Sequence, residues 1–239
     1  MKRIKLGILQ TNHDKSVEVG DAYPDDAHRF RDLFDGQEIR FEYKVYMTIG
    51  GEVPKSLDEQ DAFLITGSPL SVLDTHIFTT DLVAFVRACD SAKKPLIGAC
   101  FGHQVIADAL GGTVNKSKNG YNVGVEKTHF FEKSLWMKPK KRELPMYVFH
   151  EDEVVQLPEG TKLLGSTPNC KIASFSKGNH LFTTQAHPEF TPEFMTSVVS
   201  YTGLKVPSFD PRPALSQVND LTEGHVYANW CTEFFKGHL

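Results

Sequence analysis

The chain has 239 residues, 40% hydrophobic and 23% charged, with 26 basic and 30 acidic side chains. That length can bury a large α/β core, while the near-balanced, scattered charge excludes a nucleic-acid surface and leaves Lys138, Lys140, Lys141 and Arg142 as a solvated loop. The apolar run near the N-terminus is too short for a signal or membrane segment, and Cys89, Cys100, Cys170 and Cys231 form no Cys-x-x-Cys pair, so a reduced, cytoplasmic protein without membrane association is expected.

In chain order, residues 4–10 read as a buried strand. Asp25 then opens a helix with Phe30, Leu33 and Phe34 on one face, and Gly36 ends it. Phe41, Tyr43, Val45 and Met47 alternate with polar residues, as in a half-buried strand, and residues 62–66 form an apolar strand ending at Gly67. Thr79 or Thr80 caps a helix in which Leu82, Phe85, Val86 and Cys89 recur at helical spacing. Residues 95–99 make a fourth strand, followed by a helix over 103–110 that Gly111-Gly112 ends. This alternation predicts a parallel sheet covered by helices on both faces.

The second half is richer in strands, at residues 122–131, 146–149, 162–164, 172–176 and 181–185, which suit antiparallel hairpins at one edge of that sheet. A helix over 191–201, a Pro-rich connector over about 205–222 and a C-terminal helix over about 225–236 complete the chain. Trp230, Phe234 and Phe235 of the last helix face the core. No internal repeat or low-complexity segment interrupts a single domain over 1–239.

The chemistry concentrates at Gly98-Ala99-Cys100-Phe101-Gly102, the thiol counterpart of the Gly-x-Ser-x-Gly nucleophile elbow. The strand-to-helix turn is tight enough that only small residues fit beside it, which pushes the thiol outward at the start of a helix. Unpaired amides of the helix's first turn then favour thiolate, and the Phe101 N–H can face an oxyanion. A buried structural cysteine in a tight turn is the other reading of the same residues.

A cysteine nucleophile needs an imidazole and a group to orient it. In Gln185-Ala186-His187-Pro188-Glu189, at the end of an apolar strand, His187 and Glu189 project to one side and Pro188 stiffens the chain between them. A zinc-deaminase reading of this triplet fails, because the later Pro-Cys-x-x-Cys it needs is absent. Thr66-Gly67-Ser68-Pro69-Leu70-Ser71 ends the third strand with small residues, so an amide there can approach a ligand as a second oxyanion donor, although an ordinary Gly-Ser-Pro turn has the same sequence.

Together, residues 65–72, Gly98-Ala99-Cys100-Phe101-Gly102-His103-Gln104 and the His187 segment resemble class I, triad-type glutamine amidotransferases, in that family's order and across about residues 60–190. The resemblance implies a flavodoxin-like, three-layer α/β fold with an open, mostly parallel sheet and antiparallel strands at one edge. It implies Cys100 as nucleophile, His187 as base and then acid, Glu189 as orienting carboxylate, and Ser68 and Phe101 as the oxyanion-hole amides. It also implies substrate contacts by Gly67, Gln104, Asn122 and Gly124, with no metal and no cofactor. Asn122-Val123-Gly124 and residues 150–158 resemble the GMP-synthetase-like branch, which includes stand-alone proteins similar to plant γ-glutamyl peptidases; a solvated acidic turn is the alternative for residues 150–153.

Two departures stand out. The family often has Gly where Ser68 stands, and the ATP-pyrophosphatase domain of GMP synthetases is missing. Three functions therefore remain open. The chain is a glutaminase subunit feeding ammonia to a synthase partner, a stand-alone γ-glutamyl peptidase, or a non-catalytic regulatory module, with glutamine or a γ-glutamyl peptide as substrate in the first two.

Overall fold

A computed structural model describes residues 3–131 and 134–238. Five parallel strands form the centre: β1 (Ile4–Leu9), β2 (Phe41–Tyr46), β3 (Ala62–Ile65), β4 (Leu96–Ala99) and β11 (Leu181–Thr184). The intervening strands are β5 (Thr113–Lys116), β6 (Asn122–Phe130), β7 (Glu143–His150), β8 (Asp152–Gln156), β9 (Thr161–Ser166) and β10 (Ser174–Lys177). Among the described residues one sheet runs in the order β2-β1-β3-β4-β11-β10-β9-β6-β7, and its last four strands continue it in antiparallel fashion. The open parallel sheet with an antiparallel edge expected from the sequence is thus present.

The helices are α1 (Asp26–Asp35), α2 (Thr79–Ala92), α3 (Phe101–Ala109), α4 (Pro192–Lys205), α5 (Arg212–Leu215) and α6 (Gly224–Lys236). On one face α1 and α6 bury Phe30, Phe34, Trp230, Phe234 and Phe235 against Ile4, Leu6, Ile8 and Ile97. On the other, α2 and α3 bury Leu82, Phe85, Val105 and Ile106 against Phe63, Ile65 and Leu96. The central strands are buried on both sides, which is why they read as continuous apolar runs rather than alternating ones.

Three local readings are corrected. Asp25 caps α1 as expected, its carboxylate accepting from the His28 N–H at 2.8 Å. For α2 neither threonine caps: Phe78 occupies that position in helical geometry, and the Thr79 hydroxyl is buried without a partner. The segment after α3 holds a strand the sequence hides, because β5 and β8 pair as a two-stranded ribbon in which Val114 and Val154 are partners and both are buried. The connector also contains the short α5, and α4 runs on to Lys205.

Trp230 is fully buried, donates from Nε1 to the Pro139 carbonyl at 2.9 Å and meets Phe130 edge-on at 4.9 Å. Trp230→Ala should cost about 3–5 kcal/mol in urea unfolding, whereas Leu221→Ala, at a side chain 77% exposed, should stay within about 0.5 kcal/mol.

Candidate active site

The turn from β4 into α3 leaves Cys100 with φ +49° and ψ −107°, in the region L-residues avoid. Close packing enforces it. A Cβ on Gly98 would lie 2.5 Å from the Gly102 carbonyl carbon, and one on Gly102 would run into the Ile65 carbonyl of β3. Backbone hydrogen bonds then hold the cysteine in place: its N–H donates to Thr184 O at 2.8 Å, and its carbonyl accepts from Gln104 N at 3.1 Å. Its sulfur sits 3.8 Å from the Phe149 carbonyl.

Gly67, at the end of β3, lies between the cysteine and the imidazole. A Cβ there would stand 2.8 Å from His187 Cε1 and 3.5 Å from Cys100 Cβ. Cys100, Gly67 and His187 are therefore in mutual contact distance, although 87 positions separate the first and last in the sequence. His187 is held from three sides. Its N–H donates to Tyr147 O of β7 at 2.8 Å, its Nδ1–H donates to Glu189 Oε1 at 2.8 Å, and its ring stacks on Phe190 with centroids 4.0 Å apart. The expected projection of His187 and Glu189 to one side is present.

Burial alone would push the His187 pKa down. The Cys100 sulfur and the Glu189 carboxylate outweigh it and raise the imidazole from its usual value to about 10. The other three thiols behave differently: burial pushes Cys89 and Cys170 up to about 12 and Cys231 well above its ordinary range, and none of them lines the cavity.

Ser68 and Phe101 flank this cluster. The Ser68 hydroxyl donates to Thr11 O at 2.8 Å and accepts from Leu70 N at 3.2 Å, which pins the loop after β3. Among the described residues, no hydrogen bond takes the N–H of Ser68 or of Phe101. The Phe101 amide belongs to the first turn of α3, where no intrahelical acceptor exists.

Gln104 lines the same cavity, one turn beyond Cys100. Its Nε2 donates to Asp152 O at 2.7 Å and Gln185 Oε1 at 3.2 Å, so its carbonyl oxygen remains for a ligand. Residues 150–153 are not a solvated turn. His150 and Asp152 are 5% and 7% exposed at the junction of β7 and β8. Burial holds His150 down at about 4, hence neutral. Asp152 lines the cavity; its Oδ2 accepts from the Ser71 hydroxyl, and its Oδ1 is buried without a partner.

Asn122 and Gly124 are not brought to this wall. Asn122 Nδ2 lies 3.2 Å from His150 Nε2 and from Glu126 Oε2, behind the residues that face the cavity. Gly124 has φ +142°, and the Gln217 side chain occupies the space a Cβ would need there. In this structure Asn122 contacts His150, and Gly124 packs against the connector through Gln217. Sequence reasoning missed Asn12, Asp26 and Arg29, which also line the cavity; only the helix start at Asp25 hinted at them. Among the described residues, no group of three or more His, Cys, Asp or Glu could hold a metal ion, and no helix is long and apolar enough to cross a membrane.

With this geometry in place, the comparisons with known proteins are decisive about class. The pattern of the family described as "Glutamine amidotransferase class-I" matches residues 36–202, and the chain belongs to that family. Among individual relatives it is 30% identical to γ-glutamyl peptidase 3 of Arabidopsis thaliana over 166 residues, covering 66% of this chain and 67% of the relative. It is also 30% identical to a glutamine-hydrolyzing GMP synthase subunit of Saccharolobus solfataricus over 136 residues, 56% of this chain and 70% of that one. A glutamine amidotransferase from Thermotoga maritima superposes with a TM-score of 0.74 at 18% identity, covering 99% and 97% of the two chains, a likeness of fold.

The opposed influences on His187 give a first expectation. By NMR, its ring should remain protonated at pH 8 and lose its proton as the pH rises through about 10. Glu189→Gln removes one of the two charges that raise it, so the midpoint should move to lower pH; an unchanged midpoint would contradict the pairing.

Proposed function

We propose that the protein hydrolyses a γ-glutamyl amide through a thioester on Cys100. The observation that carries this reading is the meeting of the Cys100 and His187 side chains across Gly67, with Glu189 behind the ring at 2.8 Å. In the first half-reaction the Cys100 sulfur attacks the γ-carbonyl carbon, and the amide N–H groups of Ser68 and Phe101 receive the oxyanion. His187 donates its proton to the leaving nitrogen as the C–N bond breaks. In the second, water attacks the thioester carbonyl, His187 takes its proton, and glutamate leaves as the thiolate re-forms.

The polar wall suits the glutamyl half of the substrate. The buried, unpartnered Asp152 Oδ1 fits an α-ammonium group, and Gln104 Oε1 offers a second acceptor beside it. This chemistry serves glutamine and γ-glutamyl peptides alike, in accord with the likeness to both a γ-glutamyl peptidase and a component of a glutamine-hydrolyzing synthase. Ammonia released from glutamine would pass to a synthase chain, and an amine released from a peptide needs no partner. Four unpaired thiols suit a reducing cytoplasm.

Cys100→Ala should abolish glutamate release from L-glutamine and γ-glutamyl dipeptides while circular dichroism and melting temperature stay near those of the parent protein. Turnover retained in that variant would eliminate the thiol as nucleophile. Gly67→Ala should keep the protein folded yet lower kcat about a hundredfold, because the new methyl displaces the imidazole and misplacement by about 1 Å has that order of effect.

A further inference from the structure

The cavity beside Cys100 has a volume of about 620 Å³, whereas ammonia, the nitrogen product of glutamine, is about the size of a water molecule at roughly 30 Å³. Its lining runs from Gln104 and Asp152 to residues of α1 and α4. There the wall is aromatic. Phe190, stacked on His187, meets Phe194 at 4.6 Å, and Phe194 meets Tyr23 edge-on at 5.5 Å.

The α4 contribution follows helical spacing. Phe194, Val198, Tyr201 and Lys205 fall at i, i+4, i+7 and i+11 and all line the cavity, while Met195 and Val199 on the adjoining face are fully buried in the core. Two hydrogen bonds clasp the loop before α1 to this helix, from Tyr23 Oη to Glu193 O at 3.2 Å and from Ser197 Oγ to Glu18 O at 2.9 Å. The buried cation of this wall, Arg29, is already committed. It pairs with Asp26 at 2.7 Å, and its guanidinium carbon lies 3.8 Å from the Phe194 ring centroid. Asp26 accepts from Asn12 Nδ2 at 2.9 Å as well, so the two buried charges of this wall pair with each other, with only the Arg29 Nε left without a partner. The exposed Lys205 sits over the Tyr201 ring, its Nζ 5.4 Å from the centroid.

We infer that this wall is the leaving-group subsite and that the amine half of the substrate carries an apolar or aromatic side chain, as in a γ-glutamyl amino acid of that kind. The inference rests on the hydrolytic reading above. His187 must protonate the leaving nitrogen, so that nitrogen's substituent departs on the imidazole side. The glutamyl half faces the polar wall at Asp152, and the opposite wall, the one that stacks on the imidazole, is left for the substituent. Aromatic rings whose buried charges are already paired favour apolar surface.

Initial rates on L-glutamine, γ-glutamyl-glycine and γ-glutamyl-phenylalanine test this. The parent protein should favour the phenylalanine compound over the glycine compound by at least about tenfold in kcat/KM. Tyr201→Ala and Phe194→Ala should each reduce that ratio to within about threefold, the loss expected when apolar contact is removed from such a pocket. Tyr201 is half-exposed, so its variant carries the test if the Phe194 variant fails to fold. A parent ratio near one, or a ratio retained in the folded variants, overturns the subsite while glutamate release still supports the reaction. If no compound is hydrolysed, the reaction fails, and calorimetric binding of the two dipeptides to Cys100→Ala protein decides the subsite on its own: tenfold tighter binding of the phenylalanine compound supports it, and equal or absent binding overturns it.

Discussion

The site depends on one strained peptide, the backbone of Cys100 at φ +49°. A non-glycine residue in such a region costs about 1–3 kcal/mol and persists only where its surroundings over-determine it. Here they do. Gly98 and Gly102 let the β4–α3 turn close against the Ile65 carbonyl, and Gly102 N donates to Thr66 O at 3.2 Å. The same hydrogen bonds that fix the thiol therefore fix the ends of β3 and β11 beside it, so Cys100, the Gly67 loop and the imidazole strand are set by one packing arrangement.

The imidazole is held by a different part of the chain. The bond from His187 N to Tyr147 O ties the end of the parallel sheet to β7, the outermost antiparallel strand. Without that tie the histidine would sit on a free strand end. Glu189 is nearly sealed from solvent and its Oε2 has no partner, so its charge is answered chiefly by the His187 proton. The Cys100 sulfur is the larger influence raising the imidazole, and this buried carboxylate adds to it by favouring a protonated neighbour.

Much of this was legible in the sequence because the strongest signals were local. The runs at 4–10, 62–66 and 95–99 are buried strands, and a cysteine between two glycines after such a run carries its own geometric meaning. What stayed hidden depended on pairing or on distance. Strand β5 has one buried side chain, Val114, so it shows no pattern until β8 lies beside it. Glu151, Asp152 and Glu153 read as solvated by composition, yet the β7–β8 junction turns Asp152 inward. At Gly124 the Gln217 side chain, reaching across from the connector, fills the space a Cβ would need, a contact no local pattern shows. The aromatic stripe of α4 was within reach of helical spacing alone, but its direction was not, since Met195 and Val199 mark an equally apolar face.

The location of the cavity follows from strand order. Chain connectivity leaves β1 toward β2 on one side and toward β3 on the other, and in open α/β sheets the crevice at such a reversal lies outside the carboxyl ends of the strands. Thr11 and Gly67 sit at those ends, joined by the Thr11 hydroxyl donating to Gly67 O at 3.0 Å. The crevice then acquires unlike sides. Strand β8 brings the Asp152 carboxylate and α3 the Gln104 amide to the cavity, while the loop before α1 and helix α4 bring the rings of Tyr23, Phe194 and Tyr201. A γ-glutamyl amide has the same asymmetry, a charged amino-acid head joined through the scissile bond to an amine of variable character. Under the proposed reaction the scissile bond lies where the two flanks meet, at Cys100.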